Sequence, residues 1–380
     1  MKFTIHQEDI NTSARTGEII TDRGHIPTPV FMPIGTRGTV KAISPDELNT
    51  IDSKIILGNT YHLYLKPGHE LIGRAGGLHS FMNWNGALLS DSGGFQVFSL
   101  AKLNKINDDG VEFQSHIDGS RHMFTPEFSM EIQQHLGADI IMAFDECPPG
   151  QADYQTVETA VERTTKWMAR CTNHIAKNHG IHEWEQTVLP IIQGNIYPEL
   201  RQKSVDELTP FASCGVAIGG LAVGEAKSDM FVTIEQMDDL LPKNQPRYLM
   251  GVGRPTDLVR SVKRGMDMFD CVLPTRNARN GQLFTSEGVI NIRNSEYKNS
   301  DEPIDKNCDS KVSQNYSRAY LNHLHRTNEM LGSMLATYHN IYYYQSLMRD
   351  IRRSIKDNKF ANFLKDFYNK RDLEMPDGPI

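Results

Sequence analysis

Short apolar segments recur along the chain, and each is followed by Gly, Asp or Pro and then by an amphipathic stretch. Helical patterns at 125–136, 155–178, 197–208 and 255–265 separate several of them. Strands that alternate with helices predict βαβ units and a parallel sheet. Roughly eight candidate strands favour an α/β fold closed into a (β/α)8 TIM-type barrel over an open sheet. They lie at 28–35, 53–61, 86–94, 138–146, 187–195, 215–224, 246–253 and 266–273.

The pattern changes after about residue 290. Residues 291–315 are polar and rich in turn-forming Asn, Asp, Ser and Pro, whereas 317–368 has apolar positions at helical spacing. We therefore predict a catalytic barrel over 1–290 and a C-terminal subdomain over 291–380. In the barrel, polar residues follow each apolar segment, which is where barrel enzymes keep their active sites.

Composition agrees with a soluble enzyme. Charged residues make up 23% of the 380, and no apolar run approaches the roughly 18 residues of a membrane helix. The N-terminal residues contain no apolar core of a secretory signal, so none is expected. The five cysteines are few, odd in number and scattered, which predicts reduced thiols and a cytoplasmic location.

The net charge of −7 argues weakly against a nucleic-acid partner, but the charge is unevenly distributed. Residues 251–370 hold 19 Lys+Arg against 13 Asp+Glu, whereas residues 1–250 hold 20 against 31. The C-terminal third is therefore a basic region on an acidic body. Such a region can bind a phosphate backbone, and it can equally be a solvated, lysine-rich helical surface.

The stretch 266–285 places an acid, Asp270, at the end of a candidate strand. A segment with Arg276, Arg279 and Gly281 follows it. An acid beside a flexible cationic loop suits an acid that attacks a substrate and a loop that grips its phosphates. The same sequence is also compatible with a strand end, a turn and two solvated arginines that have no catalytic role.

The stretch 88–100 places Asp91 at another strand end, followed by Ser92, Gly93 and Gly94. Two glycines allow a tight turn or a close approach of backbone to a ligand, and Phe95 could stack on a planar ring. A plain βα turn with a capping aspartate is the other interpretation.

Several later strand ends carry groups suited to a base. Asp145 can accept two hydrogen bonds from an N–H edge, and Gln193 offers a donor and an acceptor. Backbone groups are exposed around Gly220 and Leu221, and Met250 is a polarisable side chain for an aromatic face. Together these residues predict a base-binding pocket that contains a nucleophile.

These motifs, in this order, resemble those of bacterial tRNA-guanine transglycosylase: SDSGGFQVFSL, FDEC, QGN, GGLAVGE, YLMGVG and FDCVLPTRNARNG. TPVFMPIGT, ILGNTYHL and NYSRAYLNHL support the resemblance, which covers nearly the whole chain. It implies a pentosyltransferase that exchanges the wobble guanine of certain tRNAs for a 7-deazaguanine base in queuosine biosynthesis.

The resemblance also implies roles for single residues. Asp270 corresponds to the nucleophile that forms a covalent intermediate with the ribose, and Asp91 to the acid/base. The implied base-binding groups are Asp145, Gln193, Gly220, Leu221 through its carbonyl, Phe95, Met250, Ser92 and Gly93. The implied RNA-binding residues are Arg276, Arg279 and Thr275.

One run departs from the family pattern, which holds a structural zinc with three cysteines and a histidine. Cys308 and His339 match that pattern, but Ser310 and Ser313 replace the other two cysteines. Neutral hydroxyls are poor substitutes for thiolates in a tetrahedral zinc site. We expect no structural zinc, no other metal and no cofactor requirement for the chemistry.

Alternatives remain on identity and partners. Val223 and Cys147 resemble the pattern that accepts 7-aminomethyl-7-deazaguanine, while a queuine-inserting salvage enzyme stays open. A non-catalytic tRNA-binding partner would lack the acids that this chain has. The archaeal-type enzyme carries extra C-terminal RNA-binding domains, which are not expected here. Family members are usually homodimers, so a homodimer is expected, although the changed zinc region lies near the family interface.

Overall fold

The computed structural model describes residues 1–100 and 104–377. Each of the eight candidate segments contains a parallel strand, and most of these strands are followed by a helix. The fold class expected from the sequence is therefore confirmed. The strands are Val30–Met32 with Ile34–Gly35, Ile55–Gly58, Ala87–Ser90, Ile140–Met142, Thr187–Leu189 with Ile191–Ile192, Val216–Ile218, Arg247–Leu249 and Met268–Asp270.

Two prolines divide the ring of strands into two five-stranded sheets. Pro33 separates Val30–Met32 from Ile34–Gly35, and Pro190 divides the fifth segment in the same way. A proline has no N–H for the ladder, so pairing is interrupted there. The carbonyl of each proline still accepts a hydrogen bond from the neighbouring strand. The Pro33 carbonyl accepts from the N–H of Leu57, and the Pro190 carbonyl accepts from the N–H of Ala217. Since the first strand pairs with the second and with the last, the ring closes.

The two faces of the strands explain their near-continuous apolar sequences. Alternate side chains such as Leu57, Leu89 and Met142 pack together in the barrel interior. The intervening side chains, such as Ile56 and Leu88, pack against the helices. Strands that are buried on both faces read as apolar runs rather than as alternation.

The surrounding helices include the four that were predicted, with ends shifted by one or two residues. Thr125 caps the first of them by accepting from the N–H of Phe128, and Pro126 occupies its first turn. The helices up to residue 279 are Pro45–Thr50, Thr60–Leu65, His69–Arg74, Gly77–Met82, Gly94–Leu100, Pro126–Leu136, Tyr154–Lys177, Pro198–Leu208, Lys227–Leu240, Pro255–Lys263 and Leu273–Arg279, with a 3-10 turn at Thr209–Phe211.

An antiparallel sheet precedes the barrel and closes one of its ends. Its strands are Lys2–Glu8, Arg15–Thr21 and Gly24–Thr28. Ile19 and Ile26 belong to the same apolar cluster as the barrel interior, so this sheet covers the end where the barrel strands begin. A second antiparallel sheet, Asn104–Asn107, Gly110–Gln114 and Arg121–Phe124, is inserted between the third and fourth barrel strands.

The C-terminal part is mostly helical, as the apolar spacing of 317–368 predicted. Its longest helix packs along the first barrel strand, where Gln345 donates to the carbonyl of Phe31. The predicted boundary at 290 stays a prediction, although one hairpin spans it. The elements are the strands Gln282–Thr285 and Gly288–Asn291, a 3-10 turn Ser295–Asn299, and the helices Lys311–Asn315, Arg318–Arg326, Met330–Lys356 and Phe360–Asn369.

The segment after Asp270 is a helix, not the flexible cationic loop that its sequence predicted. Pro274 lies in its first turn, a position that proline favours. The helix is only one to two turns long, too short to be stable alone. It forms because Ala278 is buried and Asn340 of the long helix donates to the Pro274 carbonyl.

No helix among residues 1–100 and 104–377 is long and apolar enough to cross a membrane.

Candidate active site

A cavity of about 380 Å³ lies at the end of the barrel where the strands finish. Its volume falls within the range of small-molecule sites. Three aspartates from three different strand ends line it, and all are less than 10% exposed. The structure thus brings Asp91, Asp145 and Asp270 into one pocket, as the sequence predicted for this end of the barrel.

Asp270 is the last residue of its strand, and two neutral donors hold its carboxylate. The hydroxyl of Tyr248 donates to Oδ1 at 2.6 Å, and the N–H of Gly251 donates to the same oxygen at 2.9 Å. Burial raises the pKa of Asp270, and these two hydrogen bonds only partly oppose it. Both bonds end on Oδ1, so the carboxylate is oriented while Oδ2 is less engaged.

Asp91 follows its strand directly and is held from the neighbouring strand end. The side-chain amide of Asn59 donates to Oδ2 at 2.5 Å, and the N–H of Thr60 donates to Oδ1 at 2.7 Å. Burial raises the pKa of Asp91 to about 6, and the charge of Asp270 adds to the increase. A carboxyl group that titrates near neutral pH can both give and take a proton.

Asp145 has a neutral donor on each oxygen. Ser92 donates its hydroxyl to Oδ1 at 2.9 Å, and the amide of Gln193 donates to Oδ2 at 2.7 Å. Burial raises the pKa of Asp145 to about 6. The Gln193 Oε1 atom is buried and has no hydrogen-bond partner in the described structure, which leaves an acceptor for a ligand.

The backbone at Gly220 and Leu221 forms part of the cavity wall. Gly220 has φ +64°, and a Cβ there would lie 2.6 Å from Gln193 Oε1, so only glycine fits. The Glu225 carboxylate accepts from the N–H groups of Ala222 and Val223. Because N–H and C=O of a peptide point in opposite directions, Glu225 turns the Leu221 carbonyl away from itself.

Phe95 and Met250 also line the cavity, as expected for apolar walls. Phe95 is 48% exposed, so its ring is accessible for stacking on a planar ring. Its helix can begin beside Asp145 because Gly94 has no Cβ; a Cβ there would lie only 2.7 Å from the Asp145 carbonyl oxygen.

Cationic side chains without carboxylate partners gather beside the cavity. Arg276 lines it, and burial, together with the nearby charge of Arg276, lowers the pKa of Arg279. Burial and the charges of Arg279 and Arg37 likewise lower the pKa of Lys41. Among the described residues none of these four forms an ion pair, which is typical of a surface that binds anions.

Two predicted binding residues are placed differently from expectation. Gly93 does not line the cavity; with φ +80° it forms a turn against the Phe124 ring. Thr275 is 5% exposed, and its hydroxyl donates to the Val272 carbonyl at the start of the short helix, so it is not presented to RNA. Ser92 lines the cavity, but its hydroxyl is engaged with Asp145. The resemblance implied these roles, but it does not reveal which groups of each residue face the cavity.

Sequence reasoning also missed residues that the geometry places in the site. Asn59 and Tyr248 hold the two central carboxylates, Glu225 orients a wall peptide, and His62 lines the cavity. Burial, followed by the charge of Arg37, lowers the pKa of His62 to about 4. Asn59 and Tyr248 lie within the quoted ILGNTYHL and YLMGVG motifs, so the signal was present without an assigned role.

The run that the resemblance aligns with a zinc site contains a hydrogen-bonded cluster. The Ser310 and Ser313 hydroxyls each lie 3.4 Å from Nδ1 of buried His339, whose Nε2 faces the Phe284 carbonyl at 2.8 Å. Ser310 also caps its helix by accepting from the Ser313 N–H. A thiol, an imidazole and two hydroxyls do not fit a structural zinc ion. No group of three His, Cys, Asp or Glu that could hold a metal occurs within 1–100 and 104–377.

Comparisons with known proteins identify the family to which the chain is similar. The family model described as queuine tRNA-ribosyltransferase matches residues 9–373. A queuine tRNA-ribosyltransferase of Halothermothrix orenii is 52% identical over 371 residues, which are 97% of this chain and 98% of the relative. Similar proteins of the same name occur in Fusobacterium nucleatum, at 50% identity over 97% of this chain and 98% of theirs, and in Vibrio parahaemolyticus, at 48% over 99% of each.

Proposed function

Since this chain belongs to the queuine tRNA-ribosyltransferase family of pentosyltransferases, we propose that it exchanges the wobble guanine of GUN anticodons for 7-aminomethyl-7-deazaguanine in queuosine biosynthesis. The observation that carries the proposal is one cavity that joins two carboxylates for glycosidic chemistry to a third carboxylate for reading a base.

In the first displacement, Asp270 attacks C1′ of the ribose as the bond to guanine N9 breaks. The electron pair leaves with guanine, and protonated Asp91 supplies its proton. Glycosidic cleavage has an oxocarbenium-like transition state that a nearby carboxylate can trap. The hydrogen bonds on Oδ1 of Asp270 support this role, since they orient the carboxylate and leave Oδ2 for attack.

In the second displacement, Asp91 takes the N9 proton of the incoming base, which attacks C1′ and releases Asp270. The same group thus acts first as an acid and then as a base. The pKa of Asp91, raised to about 6 by burial, supports both steps near neutral pH. The proposed reaction needs no cofactor, because every atom and electron comes from the two bases, the ribose and these carboxyl groups.

The base is read by the groups around Asp145. Its carboxylate can accept hydrogen bonds from the N1–H and 2-amino groups of a guanine-like base. Gln193 and the Gly220 N–H contact the opposite side of the same base. The Leu221 carbonyl, turned away from Glu225, is the acceptor for an aminomethyl group. Insertion of queuine is the alternative, and competition between the two bases distinguishes them.

The unpaired cations beside the cavity are the proposed grip on the anticodon phosphates. Arg276 and Arg279 lie on the helix that follows the nucleophile, and Arg37 and Lys41 approach them from the first βα connection. The target base must leave the stack to reach the pocket, so phosphate contacts on either side of it are needed. The homodimer remains a prediction, which light scattering can measure.

The test is incorporation of radiolabelled guanine into a tRNA with a wobble guanine. We expect wild type to incorporate label and Asp270→Ala to incorporate it more than about 10³-fold more slowly. Asp239→Ala, at an exposed position of an outer helix, is the control and should match wild type. tRNA binding without any exchange by wild type would instead support a non-catalytic binding subunit.

A further inference from the structure

The helix Pro198–Leu208 contains a buried arginine that has no acidic partner. Arg201 is fully buried, and no carboxylate in the described parts of the chain lies within ion-pair distance of it. Burial lowers the pKa of Arg201 to about 10. One of its guanidinium nitrogens, Nη2, has no hydrogen-bond partner in the described structure. Burying a charge without an ionic partner is costly, so packing alone does not explain the arginine.

Both side-chain hydrogen bonds of Arg201 in the described structure go to the turn that carries Gln193. Its Nε donates to the Asn195 carbonyl at 2.8 Å, and its Nη1 donates to the Ile192 carbonyl at 2.9 Å. The guanidinium therefore bridges the two ends of the turn. One helical turn later, Ser204 accepts from the N–H of Gln193 at 3.0 Å.

This turn needs outside support because its backbone is unusual. Gly194 has φ +131° and Asn195 has φ +45°, a left-handed value that is uncommon for a residue with a side chain. Such conformations persist only where the surroundings enforce them. The Arg201 fork and the Ser204 hydroxyl are the contacts that the helix provides.

The position of the turn decides where the Gln193 amide lies. That amide donates to Asp145 on one side, and its oxygen faces the Gly220 backbone on the other. Asn195 additionally donates to the Pro149 carbonyl, which links the turn to the segment after Asp145. A shift of the turn would therefore misplace both the amide and the carboxylate.

We propose that Arg201 is a positioning residue for base recognition, which holds the turn 192–195 so that Gln193 and Asp145 face the base together. The inference rests on the proposed function and deepens it. Arg201 does not touch substrate; it acts through Gln193. Loss of its hydrogen bonds should weaken binding of the incoming base while leaving the displacement at Asp270 and the grip on tRNA largely intact.

The experiment measures base exchange with guanine as the varied substrate at saturating tRNA, and then with tRNA varied. Arg201→Met removes the hydrogen bonds at similar volume, and Arg201→Lys retains a single donor group. Ser204→Ala tests the second contact to the same turn. Lys203→Met is the control on the same helix, because Lys203 pairs with Glu162 at the surface. Arg247→Met is the control for loss of a buried arginine away from the cavity.

We expect Arg201→Met to raise the KM for guanine about tenfold, and Arg201→Lys and Ser204→Ala about threefold, with kcat and the KM for tRNA changed less than about twofold. Lys203→Met should match wild type. Arg247→Met should lower the melting temperature without moving the KM for guanine.

An unchanged KM for guanine in Arg201→Met, or an equal increase in both KM values, would overturn the inference. If Arg201→Met does not fold, Arg201→Lys and Ser204→Ala decide by the same criterion. Failure of wild type to exchange guanine at all would refute the proposed function instead, so the two failures are distinguishable.

Discussion

The two ends of the barrel both bury aspartates, but they surround them with different partners. At the end where strands begin, Asp267 accepts from Nε and Nη2 of Arg15 at 3.1 and 2.6 Å and from the N–H of Arg247. Asp238 accepts from the Arg247 guanidinium and from Ser13. Burial alone would raise the pKa of Asp238, but these hydrogen bonds and the charge of Arg247 hold it below its ordinary value.

At the end where strands finish, the aspartates have only neutral donors. Asn59, Ser92, Gln193 and Tyr248 provide hydrogen bonds to them without positive charge. Their pKa values are raised because burial disfavours the ionised form and no cation compensates it. One fold thus pairs buried carboxylates with cations at one end and surrounds them with neutral donors at the other, where we propose that they transfer a proton and attack the ribose.

The largest expected effect is on catalysis at the neutral end. Asp91→Asn removes the proposed proton carrier and keeps the side-chain shape, so we expect the exchange rate to fall by about 10² to 10⁴-fold. Label incorporation at saturating tRNA measures it, and the melting temperature should stay within a few degrees of wild type. Full activity in the variant would assign the proton transfer to another group.

Next in size is the loss of stability at the paired end. Asp267→Asn breaks a buried ion pair and leaves Arg15 uncompensated, which should cost about 3–5 kcal/mol in the free energy of unfolding. Urea denaturation measures it, with Asp239→Asn at an exposed position as the control. The folded variant should exchange guanine within a few-fold of wild type. A large catalytic loss without destabilisation would abolish the contrast between the two ends.

A smaller effect is a pH-dependent gain in stability on removing a carboxylate from the neutral end. Burial raises the pKa of Asp145 in the folded protein to about 6, whereas its pKa in the unfolded chain is near 4. The contribution of Asp145 to the free energy of unfolding is therefore fully present below about pH 4 and is lost as the pH rises through about 6. Asp145→Asn cannot ionise, and the Gln193 amide can turn to pair with it. We expect the variant to be about 1–3 kcal/mol more stable than wild type at pH 8, with the difference vanishing near pH 4.

Asp238→Asn is the matched comparison for this pH dependence. The pKa of Asp238 is lowered on folding, so its contribution is present above the unfolded value and is lost as pH falls. Its variant should therefore be less stable than wild type at pH 8. The same sign of change for both variants would contradict the assignment of the two ends.

The smallest expected effect is that of metal removal. We propose that the Ser310–Ser313–His339 cluster folds without zinc, so a chelator should leave the melting temperature and the exchange rate unchanged. Elemental analysis of purified protein provides the second measurement. Zinc near one atom per chain, or a melting temperature that falls with chelator, would refute this proposal.

Much of the site was predictable because polar residues after apolar strands meet at one end of a parallel barrel. Asp91, Asp145, Asp270, Gln193 and Met250 were placed together on that ground, and the family resemblance is confirmed by the comparisons. The errors had a local cause. The sequence after Asp270 contains Pro and Gly, which read as a loop, whereas packing on the long C-terminal helix makes 273–279 helical.

The sequence by itself determined the order of strands and helices, the apolar faces that bury them, and which residue types stand at each strand end. Those features depend on local periodicity, which a single chain displays. Only the tertiary structure decided the partners: Tyr248 on Asp270, Asn59 on Asp91, and Arg201 beneath Gln193. These pairs join different strand ends, or a strand end and a helix. The hydrogen-bond partners are charged at one end of the barrel and neutral at the other, and this difference sets the pKa values of otherwise identical aspartates.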